Sequence, residues 1–550
     1  MICELVLIRV RTFVQQAVDP VSGDKCEDDP MCIQKKVPLM RNIRTSLVDP
    51  DTPSSVKTRK GDDGRQQTLV FSDEFNDPGR TFYDGDDPYW QGMDIWYGAT
   101  MDIEWYDPDA LTTGDGVLQI RFDAFESHGL NYRSGMLQSW NKMCYKGGLV
   151  EASISLPGRG DTAGFWPGFW TMGNLGRPGY LATSDGMWPY AYDDICDAGI
   201  TPNQSDTGGI SFLPGMRLPA CTCVGGDHPT PGLSRTAPEI DALEAAVEFL
   251  TPPAGGGVGS VSQSFQLAPF DIYYRPDAEF QEIYDRRITE INSYAGGPFQ
   301  QAISGLTLLN NDWYDGKQYQ TYGFEYQPGA DGYVTWYVGQ DKTWKVTGDS
   351  IGPNGNIGQR VMPEEPMAII VNFGMSNSFQ ALNLTGLAPL MPATMRVDYV
   401  RVYQDEDGEL TCDPAGYPTT EYIASHMKAY TNPNYTHWYV HLIKVSLGTM
   451  LINPTGRTPA TRRHKTPSCT TARRRSHRAR TSGTSSTKDQ NEDSKTSNDH
   501  GIPSDNPSHL GPLCLDLCNV HPRVHGSLSA LFWRLHSLHI PSLSAFGIQQ

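Results

Sequence analysis

The 550-residue chain has no run of 18 uninterrupted apolar residues, so we expect no membrane-spanning helix in it. Its apolar start, residues 1–14, is broken by Glu4, Arg9 and Arg11, which is not typical of a signal peptide or an anchor. Basic residues are fewer than acidic ones: the chain has 44 Lys and Arg but 63 Asp and Glu. A formal charge of −19 argues against nucleic acid as a partner and is neutral about uncharged sugars.

Helical periodicity is weak along the chain, whereas Gly, Pro and aromatic residues are plentiful, as in loop-rich β proteins. Short segments of alternating or continuous apolar residues recur between turn signals, and they predict strands. Because no helical repeat separates them, they favour an all-β antiparallel sandwich over an α/β fold. The predicted strands are residues 68–73, 116–122, 148–156, 261–265, 319–326, 332–338, 367–373 and 395–403.

The stretch 238–250 holds three carboxylates in an otherwise apolar segment, and its local pattern allows two interpretations. As a helix, it would begin with Pro at the first position and acids in the first turn. An apolar stripe at helical spacing supports that interpretation, formed by Ile240, Leu243, Val247 and Leu250.

As a strand, the same stretch would place Glu239 and Asp241 on one face, and Glu244 would join them if a one-residue bulge followed Asp241. The two glutamates would then lie about four strand steps of roughly 3.3 Å apart. Inward-leaning side chains could approach the roughly 5 to 5.5 Å carboxyl separation of a retaining glycosidase. The spacing alone is a weak signal, since acidic segments are common.

Aromatic and cysteine residues add to the β-protein hypothesis without deciding function. Trp166 and Trp170 could present flat faces to sugar rings or fill the core. Five cysteines lie in the middle of the chain without zinc spacing, which predicts two disulfides and one thiol left over: Cys144, Cys196, Cys221, Cys223 and Cys412. Three sequons predict N-glycosylation at Asn203, Asn383 and Asn434.

Residues 439–550 differ from the acidic body, because basic residues exceed acidic ones and a Ser/Thr-rich tract follows an Arg-rich run at residues 473–480. A solvated disordered tail is the simpler interpretation. Nucleic-acid binding by the Arg-rich run is the alternative, and it predicts salt-dependent affinity that truncation abolishes.

Several motifs, taken in order and spacing, resemble glycoside hydrolase family 16. They are residues 71–76 (FSDEFN), 148–170, 239–244 (EIDALE), 324–326 (FEY) and 397–404 (VDYVRVYQ). Further segments resemble one branch, the fungal β-1,6-glucan synthesis-associated proteins: residues 47–53 (LVDPDTP), 132–142 (YRSGMLQSWNK), 171–176 (TMGNLG), 220–223 (ACTC) and 417–422 (YPTTEY). The resemblance covers residues 45–438.

This resemblance implies a β-jelly-roll sandwich with a concave glucan-binding cleft, which favours the strand interpretation of residues 239–250. It implies that Glu239 is the nucleophile, Asp241 its partner and Glu244 the acid/base. It also suggests that the cleft includes the candidate substrate-binding residues Trp166, Trp170, Trp140 and Arg133. No cofactor is expected; a structural calcium on the convex face, as in some relatives, is an open alternative that the sequence does not support.

The resulting hypothesis is a retaining β-glucan glycosidase or transglycosylase of cell-wall β-1,6-glucan synthesis. The alternative is a non-catalytic glucan-binding scaffold or chaperone with the same fold. The family resemblance alone suggests the secretory pathway, from ER and Golgi to the plasma membrane or cell surface, and a membrane association. Residues 1–45 and 439–550 depart from the family pattern, so we expect disordered segments or wrongly assigned terminal exons there, flanking one domain at residues 46–438.

Overall fold

The structure is a computed structural model that describes residues 46–192, 194–196, 215–250, 256–267, 276–297, 300–353 and 358–438. The segments 1–45 and 439–550, expected to be disordered or wrongly assigned, lie outside these ranges. Asn203 lies outside them as well. Within these ranges, no helix is both long and apolar enough to cross a bilayer.

The first of two large sheets has ten antiparallel strands. Its strands are β1 (Thr58–Lys60), β2 (Gln66–Asp73), β6 (Leu111–Gly114), β7 (Val117–Phe122), β11 (Gly148–Ser155), β15 (Gln281–Ile283), β19 (Gln320–Gln327), β20 (Tyr333–Val338), β21 (Asp341–Thr347) and β23 (Ala393–Gln404). The central strands pair in the order β2-β23-β11-β19-β20-β21. The first three of these pairs join strands that are distant in sequence, whereas β19, β20 and β21 follow one another along the chain.

The second large sheet also has ten antiparallel strands. They are β3 (Gln91–Gly92), β9 (Met136–Gln138), β10 (Cys144–Tyr145), β12 (Trp166–Gly173), β13 (Glu239–Phe249), β14 (Gly257–Leu267), β16 (Thr289–Ile291), β17 (Gly296–Gly297), β18 (Gln300–Leu308) and β22 (Met367–Gly374). The acidic stretch lies in the middle of this sheet, on β13, in the order β18-β14-β13-β12-β22-β9. A small third sheet contains β4 (Ile95–Trp96), β5 (Glu104–Tyr106) and β8 (Tyr132–Ser134).

One buried cluster takes side chains from both large sheets, which confirms the antiparallel sandwich of the jelly-roll class. Val150 and Phe324 come from the first sheet, and Ile240 and Phe265 from the second; all four are 0% exposed. Burying each such side chain contributes about 1.5–3 kcal/mol to the free energy of folding. The alternating residues of the predicted strands thus meet between the sheets, as their period of two requires.

The helical interpretation of residues 239–250 is wrong. Residues 239–249 form β13, which pairs with β12 and, over its whole length, with β14. Ile240 and Leu243, which suggested a helical stripe, are instead core residues of a bulged strand. The bulge breaks strict alternation, so the two residues fall on the same side although they are three positions apart.

A wall of non-strand segments, residues 174–192 and 215–238, packs beside the second sheet. The wall includes helix α1 (Leu181–Ser184). The other helices lie outside the wall: α2 (Leu384–Leu387) precedes the last strand, and α3 (Thr420–Ser425) and α4 (Met427–Thr431) follow it. Disulfides join Cys144 to Cys412 and Cys196 to Cys221, which confirms the expected number of two bridges, and Cys223 is exposed.

Candidate active site

Three carboxylates share one face of β13 because a β-bulge lies between Asp241 and Glu244. Glu239 is opposite Gln266 of β14, and Glu244 is opposite Ser262. Five steps along β13 therefore match four steps along β14, which re-aims Glu244 to the face of the other two acids. The residues between them, Ala242 and Leu243, point into the core, as the strand interpretation requires.

Asp241 is the most fully enclosed of the three acids, with 1% of its surface exposed. Its Oδ2 accepts hydrogen bonds from Ser264 Oγ at 2.5 Å and Gln266 Nε2 at 2.9 Å. Its backbone carbonyl accepts one from Trp336 Nε1 at 2.9 Å. These donors fix the middle acid of the triad within the sheet.

Each glutamate accepts one indole N–H. Trp166 Nε1 donates to Glu244 Oε1 at 3.2 Å, and Ser264 Oγ lies 3.4 Å from Glu244 Oε2. Trp188 Nε1 donates to Glu239 Oε2 at 2.5 Å. Hydrogen bonds to a carboxylate favour its charged form and restrict its rotamer.

Burial dominates the protonation of this triad. It raises the pKa of Asp241 to about 6. Burial, and then the charge of Asp241, raise the pKa of Glu244 to about 8, so Glu244 carries a proton at neutral pH. Burial, and then the charges of Asp241 and Glu244, also raise the pKa of Glu239 well above its ordinary value. Three close carboxyls in a desolvated site cannot all be charged.

A chain of hydrogen bonds forms the opposite side of the cleft. Trp170 Nε1 donates to Asn372 Oδ1 at 2.8 Å, Asn372 Nδ2 donates to Tyr106 Oη at 3.0 Å, and Tyr106 Oη donates to Asp102 Oδ2 at 2.9 Å. Burial raises the pKa of Asp102 to about 6 and, together with the charge of Asp102, raises that of Glu104 well above its ordinary value. The chain ties the aromatic floor to a second buried acid pair.

The triad and residues of this hydrogen-bond chain line one open cleft. Acids lie on both sides of it, and aromatic rings and amides lie between them. The lining residues are Tyr97, Thr100, Asp102, Trp166, Gly168, Trp170, Glu239, Asp241, Glu244 and Asn372.

The structure brings two of the four predicted substrate-binding residues to the carboxylates. Trp166 stacks on Phe379 with ring centroids 4.3 Å apart, and Trp170 is 8% exposed at the cleft floor. Trp140 and Arg133 are not among the residues that line this cleft. The two that line it stay candidates for sugar contact.

Trp140 and Arg133 are engaged in packing instead. Trp140 stacks on Tyr430 at 5.5 Å, and its Nε1 donates to the carbonyl of Asn174. Arg133 pairs with Asp123 at 3.2 Å and lies over the ring of Phe125. The sequence motif 132–142 that contains both residues therefore contributes to the scaffold around the cleft rather than to its lining.

Two of the predicted glycosylation sites are exposed, as a glycan would require. Asn383 is exposed at the start of α2, where its Oδ1 accepts the N–H of Gly386 at 3.0 Å. Asn434 is exposed after α4. Glycosylation at both residues stays a prediction.

Sequence reasoning missed several residues of the site, among them Trp188, Asp102, Asn372, Ser264 and Gln266. A signal existed for the last three. Ser264 and Gln266 alternate with apolar residues of β14, and Asn372 interrupts an apolar strand, so each indicates a polar face. No periodic signal marks Trp188, because its segment is not a strand.

In the described ranges, no group of three or more His, Cys, Asp or Glu side chains is arranged to hold a metal ion. The acids of the cleft bind one another, serine, glutamine and indole donors instead. A convex-face calcium remains a sequence-level alternative.

Comparison with known proteins gives a family match and several close relatives. The family model "Beta-glucan synthesis-associated protein SKN1/KRE6/Sbg1" matches residues 1–446. The β-glucan synthesis-associated protein KRE6 of Saccharomyces cerevisiae is 53% identical over 74% of this chain and 56% of its own length. SKN1 of Candida albicans is 53% identical over 72% of this chain and 54% of its own length. The chain thus spans about half the length of these relatives.

Among solved structures, the endo-β-1,3-glucanase of Pyrococcus furiosus matches 63% of this chain and 98% of its own, with 18% identity and a TM-score of 0.36. A non-specific endo-β-1,3(4)-glucanase of family GH16 matches 64% of this chain and 98% of its own, with 17% identity and a TM-score of 0.37. Scores this low carry no argument about the site.

Proposed function

The chain belongs to the SKN1/KRE6/Sbg1 family of β-glucan synthesis-associated proteins, and from that premise we propose that it is a retaining glycosidase or transglycosylase acting on β-glucan. The observation that carries the proposal is the bulge of β13, which turns Glu239 and Glu244 into one cleft with Asp241 between them. Paired carboxylates in different environments are what retaining glycoside transfer requires.

In the first step, the Glu239 carboxylate attacks the anomeric carbon of the sugar. The bond from that carbon to the glycosidic oxygen breaks as Glu244 gives its proton to the leaving oxygen. Glu244 suits this role because burial raises its pKa to about 8, so that it holds a proton at neutral pH.

In the second step, the ionised Glu244 takes a proton from water or from an acceptor hydroxyl. The resulting oxygen nucleophile attacks the anomeric carbon, the bond to Glu239 breaks, and the carboxylate is restored. Water gives hydrolysis, and a sugar hydroxyl gives transfer. Asp241, held by Ser264 and Gln266, keeps Glu239 in place between the steps.

The aromatic residues provide the sugar contacts in this proposal. Trp166 and Trp170 line the cleft beside the acids, and the axial C–H groups of a glucosyl ring can stack on such rings. Trp166 is braced by Phe379, so its plane is fixed before a ligand arrives. Preorganised rings bind sugars with less loss of conformational entropy.

The wider role follows from the relatives, which are named as β-glucan synthesis-associated proteins. For this chain we propose a part in building cell-wall β-1,6-glucan within the secretory pathway, with a membrane association and N-glycans at the exposed sequons. These statements concern the whole protein, whereas this chain matches only about half the length of its relatives.

Product analysis tests the proposal. The full chain, expressed through a secretory host, is incubated with β-1,3- and β-1,6-linked gluco-oligosaccharides beside E239Q. Shorter or longer oligosaccharides whose newly released ends keep the β configuration, and which vanish in E239Q, are expected. Unchanged oligosaccharides in the presence of folded protein that still binds glucan would contradict it and favour a non-catalytic scaffold.

A further inference from the structure

Each glutamate of the cleft accepts a hydrogen bond from an indole N–H, but the two tryptophans belong to different parts of the fold. Trp166, which donates to Glu244, belongs to β12, the strand next to β13. Trp188, which donates to Glu239, belongs to the wall and not to the sandwich. The proposed nucleophile thus depends on a segment outside the sheets.

Buried contacts fix the wall close to Trp188. Met187 is 0% exposed and its carbonyl accepts the N–H of Ala237 at 3.0 Å. Gly186 has a φ of +70°, and a Cβ there would meet the carbonyl of Gly215 at 2.9 Å. The carbonyl of Gly186 accepts the N–H of Arg217 at 2.7 Å. Gly186 and Met187, the two residues before Trp188, are therefore both held in place in the wall.

Helix α4 and the residues after it hold the same segment from outside. Arg177 Nη1 donates to the carbonyl of Tyr430 at 2.5 Å, and the N–H of Ala182 donates to the carbonyl of Tyr435 at 3.0 Å. The N–H of Trp438 donates to Asp185 Oδ2 at 3.0 Å. The segment that carries Trp188 is thus bonded on both sides.

We propose that Trp188 is a positioning residue for Glu239: its indole N–H favours the charged form of the glutamate and aims it into the cleft, and the wall, with α4 and the residues after it, keeps Trp188 in place. The inference rests on the proposed function, because it assigns a task to the residue proposed as nucleophile. Burial and the charges of Asp241 and Glu244 raise the pKa of Glu239, which disfavours the carboxylate that the proposed reaction needs. The N–H of Trp188 acts in the opposite direction.

The variant W188F tests this, because phenylalanine keeps an aromatic ring and removes the N–H. The titration of Glu239 is followed by carbon-13 NMR of the full chain labelled at glutamate carboxyl carbons, with the signal assigned by E239Q. Loss of one hydrogen bond to a carboxylate is expected to raise the pKa of Glu239 by about one unit. An unchanged titration in folded W188F would overturn the proposal.

The matched control is W105F. Trp105 Nε1 also donates to a carboxylate, Asp94 Oδ1 at 2.7 Å, but outside the cleft lining. It should leave the titration of Glu239 unchanged. If W188F does not fold, benzothienylalanine at position 188, which has the shape of tryptophan and no N–H, replaces it and must give the same rise.

Activity gives a second readout and separates the inference from the function. In an active protein, W188F should move the acidic limb of the pH–rate profile to higher pH by about one pH unit, as the pKa of Glu239 rises. An unmoved limb would overturn the inference. If the wild type turns over no β-glucan while the NMR shift is seen, the proposed function fails and the assignment of Trp188 stands. If turnover occurs without either shift, only the inference fails.

Discussion

Glu244 and Glu239 differ in what surrounds them, although each accepts an indole N–H. Glu244 lies among strands, with donors from β12 and β14. Glu239 lies where the sheet meets the wall, and its donor comes from the wall. A periodic sandwich thus supplies one end of the cleft, and an aperiodic segment completes the other.

The difference shows how a common fold can acquire a particular site. The sandwich is stabilised mainly by burial between two sheets, a requirement that many sequences meet. The wall also buries apolar side chains against the second sheet, but it adds specific polar contacts. One of them is the pair Arg235–Glu365 at 2.8 Å, in which both side chains are at most 2% exposed. We therefore expect changes in the wall to affect the Glu239 end more than the Glu244 end.

Replacing either glutamate removes the chemistry at its own end. E239Q and E244Q should each lower turnover of β-glucan oligosaccharides by at least about a thousandfold, because glutamine neither attacks as a carboxylate nor donates an acidic proton. The fold should persist, since glutamine is nearly isosteric. Rates are measured from product formation, with circular dichroism as the check on folding.

The control for both variants is E248Q, at the exposed end of the same strand. It should keep the wild-type rate. A glutamine variant at position 239 or 244 with wild-type activity would show that its role has been assigned wrongly.

Breaking the buried ion pair of the wall should cost the protein much of its stability. R235M leaves Glu365 without its bidentate partner, and we expect the free energy of unfolding to fall by about 3–5 kcal/mol. Denaturant titration measures the loss. The matched variant R287M removes an exposed partner of Asp285 and should give no measurable change; equal effects of the two would contradict the anchoring role.

The middle acid should matter less than the outer two. D241N keeps the shape and loses the charge, so Ser264 and Gln266 no longer meet a carboxylate. We expect turnover to fall about 10- to 100-fold, which corresponds to about 1.4–2.7 kcal/mol of transition-state stabilisation. A loss as large as that of E239Q would instead give Asp241 a direct chemical role.

The raised pKa of Glu244 makes stability depend on pH. The folded state holds a proton to about pH 8, whereas the unfolded glutamate loses it near its ordinary value, so the stability from this group falls as pH rises between the two. E244Q removes this cost and should be more stable than the wild type at pH 8, by about 1–3 kcal/mol. Denaturant midpoints that differ equally at pH 4 and pH 8 would contradict this.

The parts that the sequence predicted are those that obey a short-range rule. β11 and β23 alternate with a period of two, and the bulge after Asp241 is the one geometry that unites three acids of that spacing on one face of a strand. Even so, local pattern alone left β13 open between helix and strand. The family resemblance favoured the strand, and pairing with β12 and β14 decided it.

Trp188 and Asp102 could not be predicted in the same way. Trp188 reaches Glu239 only because residues 51 positions apart are brought together by the wall and the C-terminal helices. Asp102 is tied to the cleft through Tyr106, whose hydroxyl also accepts a hydrogen bond from Asn372, 266 positions further along the chain. Conversely, Trp140 belongs to a recognisable motif, yet the space around it is filled by Tyr430, which no local pattern indicated.

The most direct test of the account is to trap the covalent intermediate. The wild-type chain is incubated with an activated 2-deoxy-2-fluoro-β-glucosyl oligosaccharide, which slows the second step more than it prevents the first, and its peptides are then analysed by mass spectrometry. The account predicts one sugar adduct per chain, on Glu239. An adduct on Glu244, or continued turnover without any adduct, would contradict it.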